Sequence, residues 1–188
     1  MAVGFGMRVL YHNRTRLRED VERDECGGAE YVGFERLLRE SDVLSLHLPL
    51  NENTRHTLSH AQFALLKPGA IIINTARGGV IDESALVDAL HSGQVGGCGL
   101  DVYENEPAVH PGLLALTSSD SASASADYQQ QQNATPPPPR VVLLPHMGTY
   151  TTETTAAMEA WTIGNVRKVL DGDFGGVSVV PEQREMEW

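Results

Sequence analysis

Residues 70 to 103 run strand, helix, strand, and that succession limits the folds open to the chain. AIIINT (70–75) is a β-branched run. DESALVDALHSGQ (82–94) sets Leu86 and Leu90 on one helical face and stops at Gly93. GGCGLDVY (96–103) returns to an apolar run. Strands that alternate with helices predict a parallel sheet covered on both faces. The pattern continues on either side. MRVLYH (7–12) reads as a strand and FERLLRES (34–41) as a helix. DVLSLHLPL (42–50) is a nearly continuous apolar run, as a buried strand requires. SHAQFALLKPG (59–69) is a short helix, with Ser59 and Gln62 as a capping box and Pro68-Gly69 as the stop. RVVLLP (140–145) is a further strand, and TTETTAAMEAWTIGNVRKVLDG (151–172) a long helix opened by Thr and closed by Gly. The predicted class is a doubly wound α/β sheet with a C-terminal helix.

Composition excludes several functions. A length of 188 residues suits one ordinary domain or two small ones. A net charge of −11 argues against nucleic acid or an anionic membrane as partner. No run of about 18 apolar residues predicts a membrane span. MAVGFGMRVLYHNR has no apolar segment of signal-peptide type, so a cytoplasmic location is expected. Cys26 and Cys98 form neither a disulfide framework nor a metal site, and both are expected as small core hydrophobes. Segment 117–139, TSSDSASASADYQQQQNATPPPP, is expected to be a disordered or polyproline-like loop between two strands.

In parallel sheets ligands bind beyond the carboxyl ends of the strands. Arg77 follows one strand, Asp101 and Glu106 the next, and His146 a third. A guanidinium pairs bidentately with a carboxylate and polarises a neighbouring carbonyl. An imidazolium can give a proton to that carbonyl oxygen as hydride reaches the carbon. A carboxylate bonded to the histidine would hold the ring and favour its protonated form. The hydride itself has to come from a cofactor. The set therefore suits reduction of a 2-keto acid, or oxidation of a 2-hydroxy acid. The other histidines, His12, His56, His60, His91 and His110, are expected to be solvated.

The stretches "LHLPLNENTRHTLS", "LLKPGAIIINTARGGVIDESALVDAL", "GGCGLDVYENEP" and "LLPHMGTYT" resemble the D-isomer-specific 2-hydroxyacid dehydrogenases, and among them the glyoxylate/hydroxypyruvate reductases. The resemblance implies a Rossmann-type domain with NADPH or NADH as cofactor. It implies Arg77 as the substrate-carboxylate arginine, Glu106 rather than Glu104 as the carboxylate partner, and His146 as acid/base. Asp101 matches the family's nicotinamide-carboxamide ligand. Thr75 and Ala76 line the nicotinamide side. His47, Leu48 and Pro49, with Thr54, form a loop beside the cofactor, and Gly148 lets the backbone pass close to it. A small 2-keto or 2-hydroxy acid is the implied substrate, and a homodimer through the cofactor domain the implied assembly. The other reading is a corepressor-like, non-catalytic dinucleotide-binding protein of the same fold.

After MRVLYH comes Asn13-Arg14-Thr15-Arg16, with no acid to bind a ribose 2′-hydroxyl. Arg14 and Arg16 could pair with a 2′-phosphate, which favours NADPH. The chain contains no G-x-G-x-x-G. It is therefore expected to lack the family's first strand and glycine-rich loop, as well as the N-terminal substrate domain. A partial NAD(P)-binding domain would then span 1–182, interrupted at 117–139, with a tail at 183–188. In the 3-2-1-4-5-6 strand order the missing strand is central, so the sheet should be split. Weak cofactor binding and little or no turnover are the expected consequences.

Overall fold

The computed structural model describes residues 2–118 and 140–178. Most of the expected loop 117–139 lies outside the described residues. The chain forms two compact units, 1–146 and 147–188.

Among the described residues, the first unit holds two parallel sheets. One pairs β1 (Leu10–Tyr11) with β2 (Glu30–Tyr31). The other has four strands in the order β3 (Val43–Leu46), β4 (Ala70–Asn74), β5 (Val95–Leu100), β6 (Arg140–Leu143). The split into two plus four is the division the missing central strand predicts. Among the described residues no strand pairs with both β1 and β3. MRVLYH contracts to two strand residues, because a ladder lasts only as long as its partner and β2 offers two. Neither β2 nor the π-helical turn Val21–Glu25 was expected from the sequence, and neither has a long apolar period to announce it.

Among the described residues, four α-helices pack in this unit: α1 (Phe34–Glu40), α2 (His60–Phe63), α3 (Glu83–His91) and α4 (Pro111–Ser118). Gln62 accepts from the Ser59 amide at 3.2 Å, so that side of the expected capping box forms, and Asp82, not anticipated as a cap, accepts from the Ala85 amide at 3.1 Å. α4 was not anticipated. Its PGLLALTS sequence has no acidic first turn and no clear polar face, and Leu113 is its fully buried residue among those described.

The core lies on one face of the four-stranded sheet. Leu44, Leu46, Ile72, Cys98 and Leu100 meet Leu38, Phe63, Leu86 and Leu90 there. Burial pushes the Cys98 thiol up to about 12, so it acts as a small hydrophobe. Cys26, expected in the core, is half-buried at the end of the π-helical turn. The expectation that both faces would be covered is met on one face only. On the other, Val43 and Ile71 are each 42% exposed and Val142 is 57% exposed. Each helix that contributes to the core cluster packs on the opposite side.

The described residues of the second unit include α5 (Thr152–Leu170) and a 3-10 turn, Phe174–Gly176. Thr151 caps the helix, accepting from the Thr154 amide at 3.1 Å, and Gly172 closes it at φ 77°.

Candidate active site

β4 ends at Asn74, a fully buried amide. Its Nδ2 donates to the Arg77 carbonyl at 3.0 Å, and its Oδ1 accepts from the Ala76 amide at 3.0 Å. One side chain therefore sets the turn Thr75-Ala76-Arg77. Thr75 is exposed and Ala76 half-buried on that turn. Arg77 stands exposed, its Nη1 donating to the Ala76 carbonyl at 2.7 Å. Sequence reasoning passed over Asn74. Its signal was a polar residue closing a β-branched run.

The next residue brings two loops together. A Cβ on Gly78 would lie 1.9 Å from the Tyr103 carbonyl carbon, so only glycine fits there. The Arg77 loop thus lies against the segment after β5. Asp101 is buried at the head of that segment, and its amide donates to the Asn74 carbonyl at 3.0 Å.

Glu106 is held at both oxygens. Oε1 accepts from the Tyr103 amide at 2.9 Å, and Oε2 lies 2.8 Å from His146 Nδ1. The His146 ring, first, and the Tyr103 amide hold this carboxyl below its ordinary range, with a smaller contribution from the Arg77 charge. Tyr103 also donates its hydroxyl to the Leu144 carbonyl at 2.7 Å, which anchors the strand leading to His146. His146 has φ 53°, a region sparsely used by residues other than glycine. The resemblance assigned Glu106 rather than Glu104 to the histidine, and the structure has that pairing. Glu104 turns to Arg55 Nη2 and His56 Nε2, each at 2.7 Å.

His56 is therefore bonded rather than merely solvated, because its backbone at φ 51° turns the ring toward Glu104. Three other histidines expected in solvent also have partners. The His12 ring stacks on Tyr31 with centroids 5.8 Å apart, His60 reaches Asp88 at 3.1 Å, and His110 accepts from the Gly112 amide at 3.1 Å.

The cofactor-loop residues lie at other strand ends. His47 is exposed after β3, 2.9 Å from Ser45 Oγ, and Leu48 packs against the core. Thr54 donates to the Pro49 carbonyl at 2.6 Å and accepts from the Asn51 amide at 2.8 Å, so its hydroxyl closes the loop on itself. Asn13, Arg14 and Arg16 follow β1. Asn13 Oδ1 accepts from the Arg14 amide at 2.8 Å. The Arg14 side chain has no hydrogen-bond or ion-pair partner among the described residues. Arg16 pairs through Nε and Nη2 with Glu22, at 2.9 and 2.8 Å. Gly148 belongs to the second unit.

Among the described residues no helix is long and apolar enough to cross a membrane, and no cluster of His, Cys, Asp or Glu could hold a metal. Residues 1–148 match the family described as D-isomer specific 2-hydroxyacid dehydrogenase, NAD binding domain. A 4-methyl-2-oxopentanoate reductase A from Aspergillus oryzae is 44% identical over 98% of the chain and 48% of its own length. Glyoxylate reductase 1 from Saccharomyces cerevisiae is 38% identical over 95% of the chain and 43% of its own length. The crystal structure of a glyoxylate reductase from Paecilomyes thermophila superimposes with a TM-score of 0.76 and 44% identity, over 97% of this chain and 48% of that one. The chain spans about half the length of the curated relatives it matches. With its parallel sheet, its Glu106–His146 pair and a family match over most of its length, the chain belongs to the D-isomer-specific 2-hydroxyacid dehydrogenase family and carries that family's NAD-binding domain.

Proposed function

We propose that this polypeptide is the cofactor half of an NAD(P)-dependent oxidoreductase that interconverts small 2-keto and 2-hydroxy acids, with glyoxylate or hydroxypyruvate as substrate. The observation that carries the reading is the Glu106–His146 pair at 2.8 Å, one strand end away from an exposed arginine. The dinucleotide, when bound, supplies the hydride. Arg77 pairs with the substrate carboxylate and polarises the adjacent carbonyl. His146 Nε2, the nitrogen not bonded to Glu106, delivers the proton to the carbonyl oxygen and recovers it in the reverse direction. Glu106 fixes the ring through Nδ1 and stabilises the imidazolium. Buried Asp101 receives the nicotinamide carboxamide, with Thr75 and Ala76 beside it. A non-catalytic dinucleotide-binding module would have no use for a histidine oriented by a carboxylate.

The residues present fit the two ends of the cofactor. At the adenosine ribose, Asn13 and the unpaired Arg14 suit a 2′-phosphate, and no acid follows β1 to favour a free 2′-hydroxyl, so NADPH is preferred over NADH. The chain offers no glycine-rich loop for the pyrophosphate, so its own cofactor binding is weak. A homodimer through this domain is part of the same proposal.

The test is a titration of the chain with NADPH, followed by oxamate, an unreactive analogue of glyoxylate, with the His146 ring observed by NMR. Saturable oxamate binding that perturbs His146, and that Arg77→Gln weakens at least tenfold, is the expected result. Oxamate binding indifferent to Arg77 would contradict the assignment.

A further inference from the structure

The turn after β1 carries two arginines, and the structure gives them different surroundings. Arg16 presents the Nε/Nη2 edge of its guanidinium to Glu22, a bidentate charge-assisted pair. Glu22 is buried in the π-helical turn Val21–Glu25, and its Oε1 also receives the Tyr11 hydroxyl. That hydroxyl in turn accepts from the Leu17 amide at 2.9 Å. At the other end of the turn, Tyr31 donates its hydroxyl to the Asn13 carbonyl at 3.2 Å. Tyr11 and Tyr31 are the paired last residues of β1 and β2, with ring centroids 5.3 Å apart. The turn is thus pinned at both ends by tyrosines of one small sheet.

We infer that Glu22 is the positioning residue of this turn. It holds Arg16 as a structural member and leaves Arg14 as the guanidinium that recognises a phosphomonoester on the cofactor's adenosine ribose. The inference rests on the cofactor reading proposed above and divides the labour between two residues that the sequence presents as equivalent. The physical reason is asymmetry of cost. Were Arg16 to turn its Nε/Nη2 edge to a phosphate, a buried carboxylate would lose its guanidinium partner. Arg14 gives up no partner to do the same. Glu22 touches no ligand in this account. It fixes the backbone from which Arg14 projects.

The whole chain is titrated with adenosine 2′,5′-bisphosphate and, separately, with adenosine 5′-monophosphate, which lacks the second phosphate. Arg14→Gln should remove at least tenfold of the affinity for the bisphosphate and leave the monophosphate unchanged. Arg16→Gln and Glu22→Gln should weaken both probes by a similar, smaller factor and speed exchange of the Leu17 amide at least tenfold. Tyr11→Phe, which removes only the hydroxyl, should speed the same amide if Glu22→Gln fails to fold. Selective loss of the bisphosphate in Arg16→Gln, with Leu17 exchange unchanged, would overturn the inference. If neither probe binds, the cofactor reading and the role of Arg14 fail together. Leu17 exchange then still judges the tie, and a rate unaltered by Glu22→Gln would overturn that as well.

Discussion

Helices α3 and α5 begin alike and end up in different surroundings. Each has a short polar side chain at its N-cap accepting from the third residue on, at 3.1 Å in both. α3 buries six of its nine residues, whereas α5, with nineteen, buries none. Caps and spacing are local, and they suffice to specify where a helix starts and stops. Burial needs an opposing surface. α3 has one because it connects β4 to β5 and is laid on the sheet by its own crossover. It thereby fixes the depth of the two strand ends that carry Arg77 and Glu106. On α5, Trp161 and Ile163 stay about two-thirds exposed, at 66% and 67%.

The contrast can be tested from its strongest side first. Leu86 is fully buried in the core cluster, so Leu86→Ala should cost about 2–5 kcal/mol in urea unfolding. A cost below about 1 kcal/mol would mean α3 is not packed as described. Gly78→Ala places a methyl where the Tyr103 backbone stands, and should cost about 1–3 kcal/mol while moving the Arg77 loop away from the β5 segment. The second effect would register as a changed His146 ring resonance, since Tyr103 holds Glu106. At the small end, Trp161→Ser should leave unfolding of the chain within about 0.5 kcal/mol. A larger loss would show that the exposed face of α5 has a partner.

The β1–β2 sheet lies between these extremes, with two residues in each strand and a polar tie where α3 has apolar contact. Arg16, foremost, and the Tyr11 hydroxyl hold the Glu22 carboxyl down at about 2. A depressed carboxylate stabilises the fold above its ordinary range, near 4.5, and loses that contribution as pH falls toward the folded value. The melting temperature of the parent chain should therefore fall more steeply than that of Glu22→Gln between about pH 5 and pH 2. Parallel curves would mean the tie is absent in solution.

What the sequence disclosed follows the same physics. The β-branched and apolar runs of β3, β4 and β5 were legible because each strand buries a face and must say so in its residues. Ser59 with Gln62, and Thr151, were legible as caps because capping is a local hydrogen bond. The positions of Arg77, Glu106 and His146 past strand ends were legible from punctuation by Gly and Pro. Asn74 and Tyr103, which hold those side chains in place, were not, because their partners lie across loops rather than along the chain. The inequality of Arg14 and Arg16 was hidden for the same reason, since Glu22 sits on a turn with no periodic signal. β2 and α4 escaped because two residues, or a helix without a polar face, leave no pattern to count.

In the function proposed above, the carboxyl edges of two parallel sheets, one of two strands and one of four, receive a nicotinamide dinucleotide. The most direct check is a thermal melt of the chain with and without millimolar NADPH. The predicted result is a cooperative transition that rises with NADPH and rises less with NADH at equal concentration. A cooperative transition that neither cofactor moves would contradict it.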